Sequence, residues 1–255
     1  MGEREDLERF REVAARGALA AGGIILTSQR PAPELKGRAD YVTEVDRAAE
    51  EAIRSVLAAE TPDVPVVGEE LGGREADQYW LVDPVDGTVN FLLGFPIVAV
   101  SVALVRDGRP AAGAVHGPYL DTTFSAARGQ GAEQDGHPLR VSDRPTERAV
   151  VGTGFPFRYK ERLPEYLRLM LPALERFEDL RRPGAVALDL AWVAAGVFDG
   201  FFELALSPWD VAAGALLIEE AGGVVTDWTG GEDYLSGDIL AGTTRVHRQL
   251  LELSR

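Results

Sequence analysis

Apolar residues recur at Leu7, Phe10, Val13, Ala14 and Leu19 with the spacing of one helix face, which predicts a helix over 6–26. Gly17, Gly22 and Gly23 weaken its last turns. A polar loop with Pro31, Pro33 and Gly37 leads to a second helix over 46–57. Pro62 and Pro65 bracket a turn, and Val64 to Val67 reads as a short strand ending at Gly68-Glu69-Glu70. A strand over 79–82 ends at Asp83. The longest apolar run, Phe91 to Val105, is 15 residues broken by Gly94, Pro96 and Ser101. A bilayer span needs about 20, so this run predicts a turn followed by a buried strand. Further strands are expected over 97–106, 112–118, 121–127 and 149–153, with Asp107-Gly108 and Asp135-Gly136 as turns. The second half alternates: a helix near 162–178, Arg181-Arg182-Pro183-Gly184, then an apolar helix to Ala195. A strand over 200–204, a helix over 211–221 closed by Gly222-Gly223, a strand over 237–242 and a helix over 244–253 complete it. Without repeats or a linker, the expectation is sheets layered with helices.

Composition narrows the chemistry. Of 255 residues, 45% are hydrophobic and 26% charged, as in an ordinary globular chain. The formal charge of -15 repels nucleic-acid phosphates, which argues against a nucleic-acid partner. It also means that an anionic substrate needs bound cations. There is no cysteine, so thiol catalysis, disulfides and zinc-thiolate sites are excluded. The charged start Met1-Gly2-Glu3-Arg4-Glu5-Asp6 does not suit a signal peptide, and the expectation is a cytoplasmic protein without a membrane.

Three acidic clusters stand at predicted strand ends or a helix start: Gly68-Glu69-Glu70, Asp83-Pro84-Val85-Asp86-Gly87-Thr88 and Trp209-Asp210. Each alone has an ordinary reading. Asp-Pro and Asp-Gly steps form turns, Asp210 precedes a helix it could N-cap, and a glutamate pair suits a solvated strand end. Together they make a hard-oxygen site suited to Mg2+ rather than zinc. Gly87 permits backbone N–H groups to approach a phosphate closely. Carboxylates for cations beside amides for an oxyanion are what metal-assisted phosphate ester hydrolysis requires.

The chain resembles the inositol monophosphatase family of Mg2+-dependent, lithium-sensitive sugar phosphatases. The matching motifs are Asp40 to Asp46, Gly68-Glu69-Glu70, Asp83 to Phe91, and Trp209-Asp210-Val211-Ala212-Ala213-Gly214. The resemblance implies a fold between α+β and α/β, layered αβαβα, with two mixed sheets between helices. It implies an N-terminal half, 1–145, carrying the metal-binding loops and a C-terminal half, 146–255, carrying the substrate pocket, joined as one unit. It further implies that Glu69, Asp83 and the Val85 carbonyl bind one Mg2+, that Asp83, Asp86 and Asp210 bind a second, and that Glu69 helps hold a weaker third. Gly87 and Thr88 then give backbone donors to the phosphate. Glu203 accepts from a substrate hydroxyl, and Gly184-Ala185-Val186 lines the sugar pocket. Many relatives carry Ser or Thr where Ala185 stands and Ala where Val186 stands, which leaves the sugar preference open. Without a motif histidine, water activation falls to Glu69 and to a Thr88 hydroxyl backed by Asp46, a residue that could instead N-cap the helix from Arg47.

The expected function is hydrolysis of inositol monophosphates by a homodimer. The rivals are fructose-1,6-bisphosphatase activity and, outside catalysis, a binding protein that kept the fold. His116, His137 and His247 lie in no motif and read as structural or surface residues. Gly152-Thr153-Gly154 lacks a third glycine and reads as a strand end near the pocket. Arg181-Arg182 suits a substrate phosphate or a helix cap equally. Trp192 and Trp209 read as core, and Lys36 corresponds to a loop lysine near the active site in relatives.

Overall fold

Two helices open the chain, α1 (Glu3–Thr27) and α2 (Glu44–Glu60), each burying one stripe. Leu7, Phe10, Val13, Ala18 and Ile25 form the first stripe, and Val45, Ala49, Ile53 and Leu57 the second. Thr43, not Asp46, caps α2. The Thr43 hydroxyl accepts from Val45 N at 3.0 Å, and the Asp46 carboxylate accepts from Thr43 N at 2.9 Å. Asp46 therefore closes a capping box from the third helical position. The computed structural model describes residues 3–29, 32, 34–37 and 40–255.

Between the helices, β1 (Glu34–Gly37) and β2 (Asp40–Val42) form a small antiparallel ribbon. A seven-stranded sheet follows in chain order: β3 (Val66–Gly68), β4 (Gln78–Asp86), β5 (Ala99–Arg106), β6 (Arg109–Gly117), β7 (Thr122–Ala127), β8 (Ala132–Gln134) and β9 (His137–Pro138). Only the β3–β4 pair is parallel. A five-stranded sheet contains β10 (Val150–Thr153), β11 (Asp179–Arg181), β12 (Gly200–Glu203), β13 (Val224–Thr226) and β14 (Ile239–Gly242). Its order is β11-β10-β12-β14-β13, parallel through β11-β10-β12 and antiparallel beyond.

The remaining helices are α3 (Thr88–Leu93), α4 (Leu163–Arg176), α5 (Val186–Ala194), α6 (Pro208–Glu220) and α7 (Thr244–Leu253). Helices α1 and α2 cover one face of the larger sheet, α5 and α6 fill the space between the sheets, and α4 and α7 cover the far face of the smaller one. Three apolar cores lie between these layers. Strand β4 shows why its sequence does not alternate: Trp80 and Val82 face α1 and α2, while Leu81 faces α5 and α6. Among the described residues no helix is long and apolar enough to cross a membrane.

Several expectations need correction. The predicted turn after Asp86 is the short helix α3, and β4 runs on to Asp86. Helix α6 starts at Pro208 with Ser207 as its cap, so Asp210 lies inside the helix. Strands β8, β9, β11 and β13, of two or three residues, are too short to show a period. Trp192 and Trp209 are only half-buried against the middle core, whereas Trp80 and Trp228 are buried.

Helices α5 and α6 meet closely because α6 carries Gly214: a Cβ there would stand 2.5 Å from Leu190 Cβ. Gly214→Val is expected to destabilise by about 1–3 kcal/mol through overpacking. A lower urea midpoint with unchanged slope checks this; a wild-type midpoint would show that the contact is slack.

Candidate active site

A regular strand would send Asp83 and Asp86, three residues apart, to opposite faces. Here Asp83 pairs with Ser101 and Asp86 with Ala99, so three steps on β4 oppose two on β5. This bulge turns both carboxylates to the same side, into one cavity of about 390 Å3. Asp83 Oδ1 accepts from Val85 N at 3.0 Å, and Asp86 Oδ2 accepts from Ala187 N at 2.6 Å. The chain then turns through Gly87 at φ 91°, where a Cβ would stand 3.0 Å from the Ile97 carbonyl oxygen. Only glycine suits both the angle and the space. Thr88 begins α3 with its hydroxyl 3.3 Å from Asp46 Oδ1 and 3.1 Å from the Val85 carbonyl oxygen.

Three other segments bring acids to the same cavity. Glu69 follows β3, with its N–H donating to Val82 O at 3.1 Å. The next turn is held from beneath by Glu50, a fully buried carboxylate on α2 that accepts from Glu70 N at 2.8 Å and Arg54 Nε at 2.8 Å. Asp210 arrives on the first turn of α6, with Oδ2 accepting from Ser207 N at 2.8 Å. The Ser101 hydroxyl, opposite Asp83, donates to the Trp209 carbonyl at 2.9 Å and so ties α6 to the bulge. Glu203 ends β12 beside them. Gly154 leaves it room, since a Cβ there would stand 2.1 Å from a Glu203 carboxylate oxygen.

Burial and mutual repulsion raise the proton affinity of this group. Desolvation, then Glu69, Asp86 and Asp210, hold Asp83 well above the ordinary carboxylate range. Burial pushes Asp86 up to about 7 against the N–H groups of Ala187 and Val186. Burial and then Asp86 push Asp210 up to about 7, and burial and then Asp210 push Glu203 up to about 8. Burial also raises Asp46, opposed by the hydrogen bonds from Thr43 and Thr88. Among the described residues, no three acidic or imidazole side chains converge on one point as they stand. The donor set nevertheless fits a hard divalent cation. Glu69, Asp83, Asp86 and Asp210 of this cavity, with no sulfur or imidazole among them, are oxygen donors whose repulsion such an ion would relieve.

The remaining wall includes residues to which the motifs assign no role. Arg158 lines the cavity and lowers the proton affinity of Asp86, Glu203 and Asp210. Arg182 lies over the rings of Phe155 and Phe157, at 6.0 and 5.6 Å, and also lines the cavity, while Arg181 pairs with Asp179 away from it. Asn90 Nδ2 donates to the carbonyls of Ile97, Pro183 and Gly184, which fastens the 183–186 turn to α3. Gly184 and Val186 line the cavity; Ala185 does not, because the left-handed turn at Gly184 sends it into the core behind Gly87. Thr153 ends β10, with its hydroxyl donating to Phe202 O at 2.8 Å. His116 is buried with Nδ1 3.0 Å from Thr122 O, His247 is buried against Thr226, and His137 is exposed. The Lys36 side chain lies outside the described residues. Glu50 did leave a signal in the sequence: it is a carboxylate beside the apolar stripe of an amphipathic helix. Arg158 left none.

The family model described as "Inositol monophosphatase family" matches residues 6–255. Nus factor SuhB of Escherichia coli strain K12 is 42% identical over 248 residues, covering 94% of this chain and 93% of that protein. Fructose-1,6-bisphosphatase/inositol-1-monophosphatase of Aquifex aeolicus is 40% identical over 258 residues, covering 98% and 97%. Extragenic suppressor protein suhB from Bartonella henselae, a solved structure, superposes with a TM-score of 0.91 at 38% identity, covering 96% of this chain and 97% of that one. The layers, the order of the motifs and these matches along nearly the whole length agree: the chain belongs to the inositol monophosphatase family.

Proposed function

We propose that the chain is a Mg2+-dependent phosphomonoesterase that hydrolyses inositol monophosphates, with a fructose-1,6-bisphosphate or broader sugar-phosphate activity as the alternative on the same site. The observation that supports it is the β4 bulge, which aims Asp83 and Asp86 into one cavity with Glu69, Asp210 and Glu203. Lithium sensitivity, a cytoplasmic setting and a homodimer belong to the same reading through the family resemblance.

In this reading Glu69, Asp83, Asp86, Asp210 and the Val85 carbonyl hold the cations. Bound Mg2+ lowers the pKa of water and offsets the charge of the phosphate. The backbone N–H groups of Gly87 and Thr88 face the phosphate oxygens. The Thr88 hydroxyl accepts from the attacking water while it donates to Asp46, and Glu69 accepts a second hydrogen bond from that water. Glu203 accepts from a hydroxyl of the polyol, and Gly184 and Val186 shape the space for its ring. A panel of inositol, fructose and aryl phosphates assayed with Mg2+ tests the reading, and no turnover of any ester would sink it.

The name Nus factor, carried by several relatives, supports a second reading in which this chain also serves a macromolecular complex. Asp83→Asn separates the two readings, because hydrolysis should be lost while any such role persists.

Three outcomes are expected. Asp83→Asn removes most activity, yet leaves the metal-free protein as stable or more so, because it relieves like-charge repulsion. Near wild-type turnover at saturating Mg2+ would refute its role as a cation ligand. Thr88→Val lowers kcat by roughly 10²–10⁴-fold, the loss typical of missing acid–base assistance, with little change in Mg2+ dependence. Thr88→Ser keeps much of the rate, and full rescue of Thr88→Val by Mg2+ would count against the relay. Glu203→Ala harms inositol phosphate turnover more than aryl phosphate turnover; equal losses would make Glu203 structural.

A further inference from the structure

Helix α5 is apolar from end to end except for Asp189, which is 1% exposed. Its Oδ1 has no hydrogen-bond partner among the described residues. The Gly184 N–H is turned toward the carboxylate, Asp86 and Glu203 lie near enough to raise its proton affinity, and Arg182 is near enough to lower it. For stability alone this is a poor choice, since burying an incompletely paired carboxylate is costly and an apolar side chain would fill the helix better. Such a group calls for another explanation.

The surroundings supply one. The turn from Pro183 to Ala187 performs a task for the site, because Ala187 N donates to Asp86 Oδ2 at 2.6 Å and the Val186 N–H supports the same carboxylate. From the outer side Asn90 grips the carbonyls of Pro183 and Gly184 at 3.0 and 3.2 Å. Pro183 has no N–H to offer, and Gly184 sits at φ 92°, so the Gly184 N–H is the group through which the turn can be held from inside. We propose that Asp189 is a positioning residue that clamps the Gly184–Ala187 turn from within α5 and so fixes the orientation of Asp86. It touches no substrate; it acts through the Gly184 N–H of that turn.

The inference rests on Asp86 as a cation ligand, so its test reads binding before turnover. Mn2+ is titrated into the full-length protein by electron paramagnetic resonance for wild type, Asp189→Leu, Asp189→Ala and Asp189→Asn. Leu and Ala should weaken Mn2+ by roughly 10–100-fold, the range for losing a partner that orients a ligand. Asn keeps an acceptor for the Gly184 N–H and should stay within about threefold of wild type, well short of that range. The melting temperature of metal-free Asp189→Leu should be unchanged or higher. Wild-type affinity in the Leu and Ala variants would overturn the proposal. Equal losses in all three variants would overturn it too, as would a loss matched by a lower melting temperature. If wild type binds Mn2+ but cleaves no ester, the phosphatase reading falls while the titration still decides the role of Asp189.

Discussion

Repulsion among buried carboxylates is the interaction around which this site is organised. Asp83, Asp86, Asp210 and Glu203 are brought into one low-dielectric space by three different elements, and burial alone favours their protonated forms. The framework answers with fixed N–H dipoles: Val85 N for Asp83, Ala187 N for Asp86, and Ser207 N for Asp210. Each of these three aspartates thus has an oxygen held by backbone that cannot reorient without moving a helix or a strand. Such a site is prepared for positive charge before any arrives.

The same constraint explains features far from the acids. A bulge is required because the pleat would otherwise separate Asp83 from Asp86. Gly87 and Gly154 are required because a Cβ would strike the Ile97 carbonyl or the Glu203 carboxylate. The small residues of α6 allow the N-terminus of that helix, and Asp210 with it, to lie against β4 and β5. Glu50 keeps the Glu69-Glu70 turn in place from the opposite side of the sheet.

Much of the fold was legible in the sequence, because α1, α2, α7 and the long strands carry strong periods or apolar runs. The last helix was read to the residue, since Thr243 caps it and its apolar spacing is regular. The capping alternatives for Asp46 and Asp210 fail for one shared reason. Asp is favoured both at the cap and at the third position, and only the preceding Thr43 or Ser207 distinguishes the two. The motif residues could be found because their spacing resembles a known family. Arg158, Ser101 and Asn90 could not be assigned, since their partners lie in distant segments: Trp209 for Ser101, and Pro183 for Asn90.

The larger sheet runs in chain order from β3 to β9, whereas the smaller one interleaves its strands. Loop-closure entropy makes neighbouring hairpins quick to form and distant pairings slow. The meander, with Asp83 and Asp86 already at its bulge, can therefore form while the chain beyond Arg144 is still unpaired. Asp210, Glu203 and the Ala187 N–H come only with the later pairings of β12 and β14 and the docking of α5 and α6. A chain caught between these stages would hold half of an acidic site and no complete cavity, so cation-binding capacity during refolding would report the slowest contacts of the molecule.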